Sequence, residues 1–309
     1  MNAISVENLS KTYGKGSKQV RALQDVSFNV PKGSIYGFIG PNGAGKSTSI
    51  GIILQFLHQD DGKVYLFDEE VNQSNLPILK QYIGFIPDAD LPSITGVKFL
   101  KHTAYYHGYQ GKKLREVLRQ VVELTDSRSF IGRNTKKLSK GQKARIKIAN
   151  SLIGDPSLII ADEPTSGLDP VARREFLSLI TNLNKKNGTS IFFSNHVIGE
   201  VEKICDQVAI LSKGHIVANG NIEQIVHSLP VKNRFNVVVD NITLDEINTL
   251  SNIKTVEQTH HNEFIIEITE TNGGVPLFLK ELVQKPVVLE SFSRQNINLE
   301  DIFLSVIDQ

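Results

Sequence analysis

IYGFIGPNGAGKST, residues 35–48, decides the fold: a short β-prone run passes directly into a glycine-rich turn. Ile35 to Ile39 reads as a buried strand, and Gly40 to Thr48 fits the P-loop pattern G-x-x-x-x-G-K-[ST]. The residue types are those the chemistry asks for. Gly40, Gly43 and Gly45 let the backbone wrap tightly and turn peptide N–H groups toward phosphate oxygens. Pro41, Asn42 and Ala44 complete the turn between them, and Thr48 closes it. Lys46 is long enough to reach β- and γ-phosphates, and the Ser47 hydroxyl suits Mg²⁺. A helix is expected from Lys46 to about Leu57, its positive end favouring anions. A chance glycine-rich turn has no reason to sit between a strand and a helix. ATP and Mg²⁺ are the expected ligands.

Outward from the loop, SLIIADEP (Ser157 to Pro164) reads as a second buried strand ending in two adjacent acids. Asp162 stands where a carboxylate holds Mg²⁺ through its water shell, and Glu163 is the candidate general base for an attacking water. Acids often cap a strand end near solvent, but beside a P-loop this pair has a task. Val64 to Phe67, Tyr82 to Ile86, Ser190 to Phe193 and Val208 to Leu211 read as further strands, with helices near Val171 to Lys185 and Val197 to Ile204. This alternation is that of an α/β protein. From about Thr95 to Ile153 the spacing turns helical, with Leu114, Val117, Leu118, Val121 and Val122 on one face.

The remaining motifs are those of one family. Leu138-Ser-Lys-Gly-Gln142 resembles the ABC-transporter signature LSGGQ, with Lys140 in place of one glycine. Ser166-Gly-Leu-Asp169 resembles the D-loop, His196 the switch histidine, and Tyr13 the aromatic that stacks on adenine. All follow the family's order and spacing across roughly residues 3 to 225, and a tail reading NLEDIFLSVI resembles the drug-, antibiotic- and ion-exporter subgroup. The resemblance implies an α/β P-loop ATPase with a RecA-like core, an antiparallel β subdomain and a helical subdomain at about residues 90–155. It implies two cassettes sandwiching two ATPs, the P-loop of one facing Ser139 and Gly141 of the other, with Asp169 at the shared site. His196 would contact the γ-phosphate and the attacking water. The cassette would bind a second copy or a paralogous subunit and an integral-membrane permease, from the cytoplasmic face of the cell membrane, and would power export.

One position departs from the family pattern. After the strand ending at Ile86 and Pro87, the usual glutamine is Asp88. Asp88 can still accept a hydrogen bond from Mg²⁺-bound water, but it cannot donate, and it adds negative charge near the phosphates.

Composition narrows the alternatives. The chain has 309 residues, room for two domains, and a net charge of +1, so no global field points to nucleic acid. Lys136, Lys137, Lys140, Lys143, Arg145 and Lys147 cluster, but a solvated helix face beside a phosphate site explains them. No nucleic-acid partner is expected. Cys205 is the one cysteine, which fits a reducing compartment, and the opening MNAISVENLSKTYG lacks the features of a secretion signal. Apolar stretches such as Leu158 to Ala161 are far shorter than the roughly 20 residues of a bilayer-spanning helix. Asp60-Asp61-Gly62 reads as a turn, and His260-His261 as a hairpin tip without a metal. ABC ATPases that act on DNA or ribosomes usually carry paired cassettes, a coiled coil or zinc cysteines, none of which is present. A binding-only module would not need Glu163 and His196.

Beyond a boundary near Ser228 to Lys232, marked by Pro230, the rhythm becomes β-α-β-β-α-β-α, ending in a helix over Leu299 to Val306. Its first six elements match a ferredoxin-like split βαβ unit. The expected domains are an ATP-binding cassette, residues 1–228, and a C-terminal α+β accessory domain, residues 229–309.

Overall fold

Alternation of apolar residues sets the first sheet. In β1 (Asn2–Tyr13) and β2 (Val20–Pro31), Ile4, Val6, Leu9, Val26, Phe28 and Val30 are buried, and the two strands pair antiparallel. The computed structural model describes residues 1–228, 234–269, 274–294 and Phe303. The chain continues through β3 (Ile35–Ile39), α1 (Lys46–Ile53), β4 (Asp61–Leu66), β5 (Glu69–Glu70), α2 (Leu76–Leu79) and β6 (Ile83–Ile86). Three helices follow, α3 (Gly96–Tyr106), α4 (Gly111–Leu124) and α5 (Lys140–Ser151). Then come β7 (Leu158–Ala161), α6 (Pro170–Asn187), β8 (Ser190–Asn195), α7 (Ile198–Ile204), β9 (Gln207–Ser212), β10 (His215–Asn221) and α8 (Ile222–Ser228). The last described elements are β11 (Arg234–Asp240), α9 (Leu244–Asn248), β12 (Ile253–His260), β13 (Glu263–Ile268), α10 (Gly274–Val283) and β14 (Val288–Arg294).

Two compact units divide these elements, residues 1–222 with Phe303, and the described residues from 223 to 294. In the first, a four-stranded antiparallel sheet runs β2-β1-β4-β5, and a six-stranded sheet runs β10-β9-β3-β8-β7-β6. Strands β9, β3, β8, β7 and β6 are parallel, as α/β crossovers require, and β10 adds an antiparallel edge. Every residue of β3, β7 and β8 is buried, which explains their continuous apolar runs. Phe28, Tyr36, Phe38 and Phe192 stack where the two sheets share a core with Ile50, Ile52 and Ile53 of α1. Helices α3, α4 and α5 build a separate core from Leu100, Leu114, Val117, Val121 and Ile146, joined by Ile153 just past α5.

Register positions the site. Ile39 pairs with Asn195, Phe193 with Ala161, and Ala161 with Ile86. The carboxyl ends of β3, β8, β7 and β6 therefore lie side by side, the edge where open parallel sheets bind ligands.

Two local expectations change. Helix α1 stops at Ile53 because Gln55 turns left-handed (φ 55°) and the N–H groups of Phe56 and Leu57 return to the Gly51 carbonyl. Asp61 and Gly62 open β4 opposite a bulge in β1, where the pairing shifts between Glu7 and Ser10. Asp60 is tied down beside them. Its carboxylate accepts from Lys11 Nζ at 2.7 Å and from the Thr12 N–H at 2.6 Å, and those bonds hold its pKa below the usual range.

The second unit runs β-α-β-β-α-β over β11 to β14, with strand order β12-β13-β11-β14 and all neighbours antiparallel. Phe235, Val237, Val239, Phe264, Ile266 and Ile268 point from β11 and β13 into a core closed by Ile247, Phe278 and Leu282. The alternation in the strands and the spacing in α10 supply those faces. His260 ends β12 and pairs with Glu263 at 3.0 Å, with His261 in the turn. Pro230, and the closing helix over Leu299 to Val306 apart from Phe303, lie outside the described residues.

Candidate active site

A strand that ends in Gly40 can turn where a larger residue would collide. A Cβ on Gly40 would lie 2.5 Å from the Leu211 carbonyl oxygen. Gly45 sits at φ 112°, a left-handed conformation, as the N-cap of α1, where a Cβ would meet the Ala22 carbonyl at 2.5 Å. The loop thus delivers Lys46 to the first position of α1, only 4% exposed. Its ammonium donates to the Gly40 carbonyl at 2.7 Å and the Pro41 carbonyl at 3.1 Å, and stands 3.1 Å from Glu163 Oε1. The two carbonyls take two of its N–H donors, and the Glu163 carboxylate pairs with its charge. Ser47 is exposed and Thr48 half-buried on the same turn.

Glu163 follows β7 with a left-handed backbone, φ 42°, unusual for a side chain of its size. Such a conformation costs about 1–3 kcal/mol and persists where neighbours fix it. Here the Glu163 N–H donates to Ser194 Oγ at 2.9 Å, and the Ser194 hydroxyl donates to Asp162 Oδ1 at 2.7 Å. The second oxygen of Glu163 lies 3.1 Å from Nδ1 of His196, whose side chain is 42% exposed. That contact is a hydrogen bond when Nδ1 carries the proton. One carboxylate therefore bridges the P-loop lysine and the histidine, joining residues that follow β3, β7 and β8.

Asp88 follows β6 and Pro87, and lines a concavity of about 410 Å³ with Asp90, Lys140, Lys143, Lys147 and Glu163. Lys143 bonds Asp90 at 3.1 Å and holds that carboxyl below its usual pKa. Lys147 donates to the Pro87 carbonyl at 3.0 Å, and burial pulls its pKa down. Arg145 bonds Asp126 and Glu175, so these three cations of the basic cluster tie down their own chain.

Ser139, Gly141 and Asp169 line another concavity, of about 340 Å³, with no P-loop residue among its walls. Ser139 Oγ accepts from the Gln142 N–H, and Gln142 Oε1 accepts from the Ser139 N–H, a capping box that starts α5. Asp169 caps α6, accepting from the N–H groups of Ala172 and Val171 at 3.0 Å, and those bonds lower its pKa. Tyr13 ends β1, 39% exposed, with Lys11 Nζ 5.8 Å from its ring centroid. The chain thus brings Lys46, Glu163 and His196 together, with Asp162 linked through Ser194 and Asp88 lining one concavity with Glu163, and presents Ser139, Gly141 and Asp169 in another concavity. Sequence reading missed Ser194 and Asn195, although both immediately precede His196.

Hard oxygen donors are what a Mg²⁺ site of the P-loop kind needs from protein. The Ser47 hydroxyl and Asp162 carboxylate supply them, so the donor set fits. Among the described residues no three His, Cys, Asp or Glu side chains gather as a metal cage. Nor is any described helix long and apolar enough to cross a membrane.

Comparison with known proteins gives one consistent picture. A family model described as "ABC transporter" matches residues 23–166. The bacitracin transport ATP-binding protein BcrA of Enterococcus faecalis is 30% identical, over 98% of this chain and 96% of that protein. The linearmycin resistance ATP-binding protein LnrL of Bacillus subtilis is 31% identical, over 98% and 97%. Among solved structures, cbiO1 of Clostridium perfringens, part of the ABC transporter complex cbiONQ, superposes with TM-score 0.65 at 26% identity, over 74% of this chain and 96% of that one. The dimeric ABC transporter cassette MJ0796 gives TM-score 0.64 at 25% identity, over 71% and 98%.

Proposed function

We propose, since the chain belongs to the ABC transporter ATP-binding family, that Lys46, Glu163 and His196 form the hydrolytic centre of an ATPase that drives export through a separate permease. The observation that carries this is the Glu163 carboxylate set between the P-loop lysine and the histidine. The names of two relatives, bacitracin transport and linearmycin resistance, support the exporter direction.

In this reading ATP lies along the P-loop, its phosphates on the N–H groups and glycines from Gly40 to Thr48, with Lys46 on the β- and γ-phosphates. Tyr13 stacks on the adenine. Ser47, with Asp162 and Asp88 through water, would hold Mg²⁺, which when bound offsets charge on the phosphates. Glu163 takes a proton from the attacking water as its oxygen bonds to the γ-phosphorus. The bond from that phosphorus to the β–γ bridging oxygen breaks, its electron pair leaves with ADP, and phosphate is the second product. His196 orients the water and the γ-phosphate. Ser139 and Gly141, at the positive start of α5, meet the γ-phosphate of a second cassette's ATP, with Asp169 alongside. The dimer so formed works at the cytoplasmic membrane face.

Ser139→Arg tests the sandwich. It places a long cation at the start of α5, so ATP-driven dimerisation, followed by sedimentation of a hydrolysis-blocked chain, is expected to be lost while monomer ATP affinity stays unchanged. A Ser139→Arg chain that still dimerises with ATP would sink the sandwich.

Residues 1–228 are read as the cassette and 229–309 as an accessory α+β domain. The β-α-β-β-α-β order of the second unit supports a ferredoxin-like topology for it. It acts on dimer stability or permease grip, outside the nucleotide site. Truncation after Ser228 is then expected to keep ATP affinity and to change ATPase rate or permease co-purification. A truncated chain that folds but no longer binds ATP would place this domain in the site.

A further inference from the structure

Glu200 on α7 is a buried carboxylate, 4% exposed, with no phosphate-facing task in the chemistry above. A buried charge is costly unless neighbours satisfy it, and here three chain segments do so. Its Oε2 accepts from Thr165 Oγ1 and from Asn195 Nδ2, each at 2.7 Å. Its Oε1 stands 2.9 Å from Arg173 Nε on α6, a close ion pair whose angle is not that of a hydrogen bond.

The three partners lead to three parts of the site. Asn195 is 1% exposed, and its Oδ1 accepts from the N–H groups of His196 at 2.8 Å and Val197 at 2.9 Å, fixing the backbone from which the histidine projects. Its own carbonyl accepts from the Gly40 N–H at 3.3 Å, at the root of the P-loop. Thr165 is two residues past Glu163, and its carbonyl accepts from the Leu168 N–H at 3.1 Å. Arg173 also reaches the Leu168 carbonyl with Nη2, at 3.4 Å, next to Asp169. Packing alone could be met by an apolar side chain, whereas a carboxylate at this spot holds the histidine turn, the stretch after Glu163 and the turn before Asp169 in one network. Glu200 Oε2 is hydrogen-bonded twice and Oε1 is held by charge, and buried polar networks of this kind fix geometry.

We infer that Glu200 is a positioning residue for hydrolysis: through Asn195 it sets His196 against Glu163, and through Thr165 and Arg173 it ties that setting to the turn carrying Asp169. This rests on the proposed role of His196.

Glu200→Gln keeps the shape, and with its oxygen accepting from Thr165 and Asn195 it turns an amide N–H₂ toward Arg173; flipped, it offers Arg173 a neutral oxygen and loses the Asn195 bond. It is expected to lower ATP turnover about 10- to 100-fold, the scale of a displaced catalytic group, with ATP affinity and thermal midpoint near wild type. Glu200→Ala should lose more. The decisive measurement is the double variant: in a His196→Ala background, Glu200→Gln should cause no further loss. Multiplying losses in that background, or a parallel fall in affinity and turnover, would overturn the inference alone. A His196→Ala chain with wild-type turnover would instead overturn the reading of His196, and this inference with it. Thr165→Val is nearly isosteric and removes one bond to the same carboxylate, so it carries the test if the Glu200 variants fold poorly. It should be slow with unchanged affinity, and full turnover would overturn the inference.

Discussion

Glu163→Gln is expected to slow ATP turnover by about 10²- to 10⁴-fold, the usual contribution of a general base, while ATP still binds. Glutamine has the same length, and its amide bears no basic oxygen to take the water's proton. The left-handed backbone at this position constrains both residue types alike, and the bond from its N–H to Ser194 does not depend on the side chain. One change favours binding. The carboxylate that stands 3.1 Å from Lys46 loses its charge, so the lysine is held less tightly by its own chain and answers the phosphates more readily. ATP affinity should therefore be equal or higher. With the γ-phosphate uncleaved, the variant should accumulate as a dimer in sedimentation, because ligand bound to one state stabilises that state. Single-turnover hydrolysis and equilibrium binding, measured on the same preparation, separate the two effects. Wild-type turnover by Glu163→Gln would remove Glu163 from the mechanism.

Lys46→Ala should act on the other quantity. Truncating one partner of a buried, hydrogen-bonded charge pair costs about 2–5 kcal/mol, which is roughly 30-fold to several thousandfold in ATP affinity. The loss has two sources here. The β- and γ-phosphates lose their cation, and the Glu163 carboxylate, left without Lys46, repels them. The Gly40 and Pro41 carbonyls also lose the donor that now satisfies them, so the variant should melt at a lower temperature as well. Calorimetric titration with ATP reads the first effect and a thermal scan the second. Undiminished affinity would mean that the loop binds phosphate through its peptide groups alone.

What could be read from the residues followed their distance along the chain. The P-loop was legible because strand, turn and helix are contiguous, and every residue of the phosphate cradle lies within Gly40 to Thr48. The acid pair was legible from its place at the end of an apolar run. The order β3-β8-β7 was not, because a buried parallel strand carries no mark of its neighbours, yet that order brings the P-loop, His196 and Glu163 to one edge of the sheet, where Glu163 bridges the other two. Glu200 was invisible for a different reason. A glutamate in the first turn of a helix reads as a solvated end, and only the fold brings Thr165, Asn195 and Arg173 around it. Ser139 and Asp169 show the opposite case. Both sit at helix starts where serine and aspartate are ordinary caps, so their capping was legible locally, while a role across two chains came only from the family resemblance.

The contacts around Lys46 also bear on idling. Its ammonium bonds the Gly40 and Pro41 carbonyls and is ion-paired with Glu163 at 3.1 Å, so the proposed base is paired with the very cation proposed to meet the phosphates. Under the proposed roles, an incoming triphosphate would compete for that ammonium, and the more negative its end, the better it would displace Glu163. The proposed base would then be set free by the arrival of a γ-phosphate. ADP, one phosphate shorter, would then be a weaker trigger, and the same contact would act as a safety catch that arms the cassette only for fresh fuel.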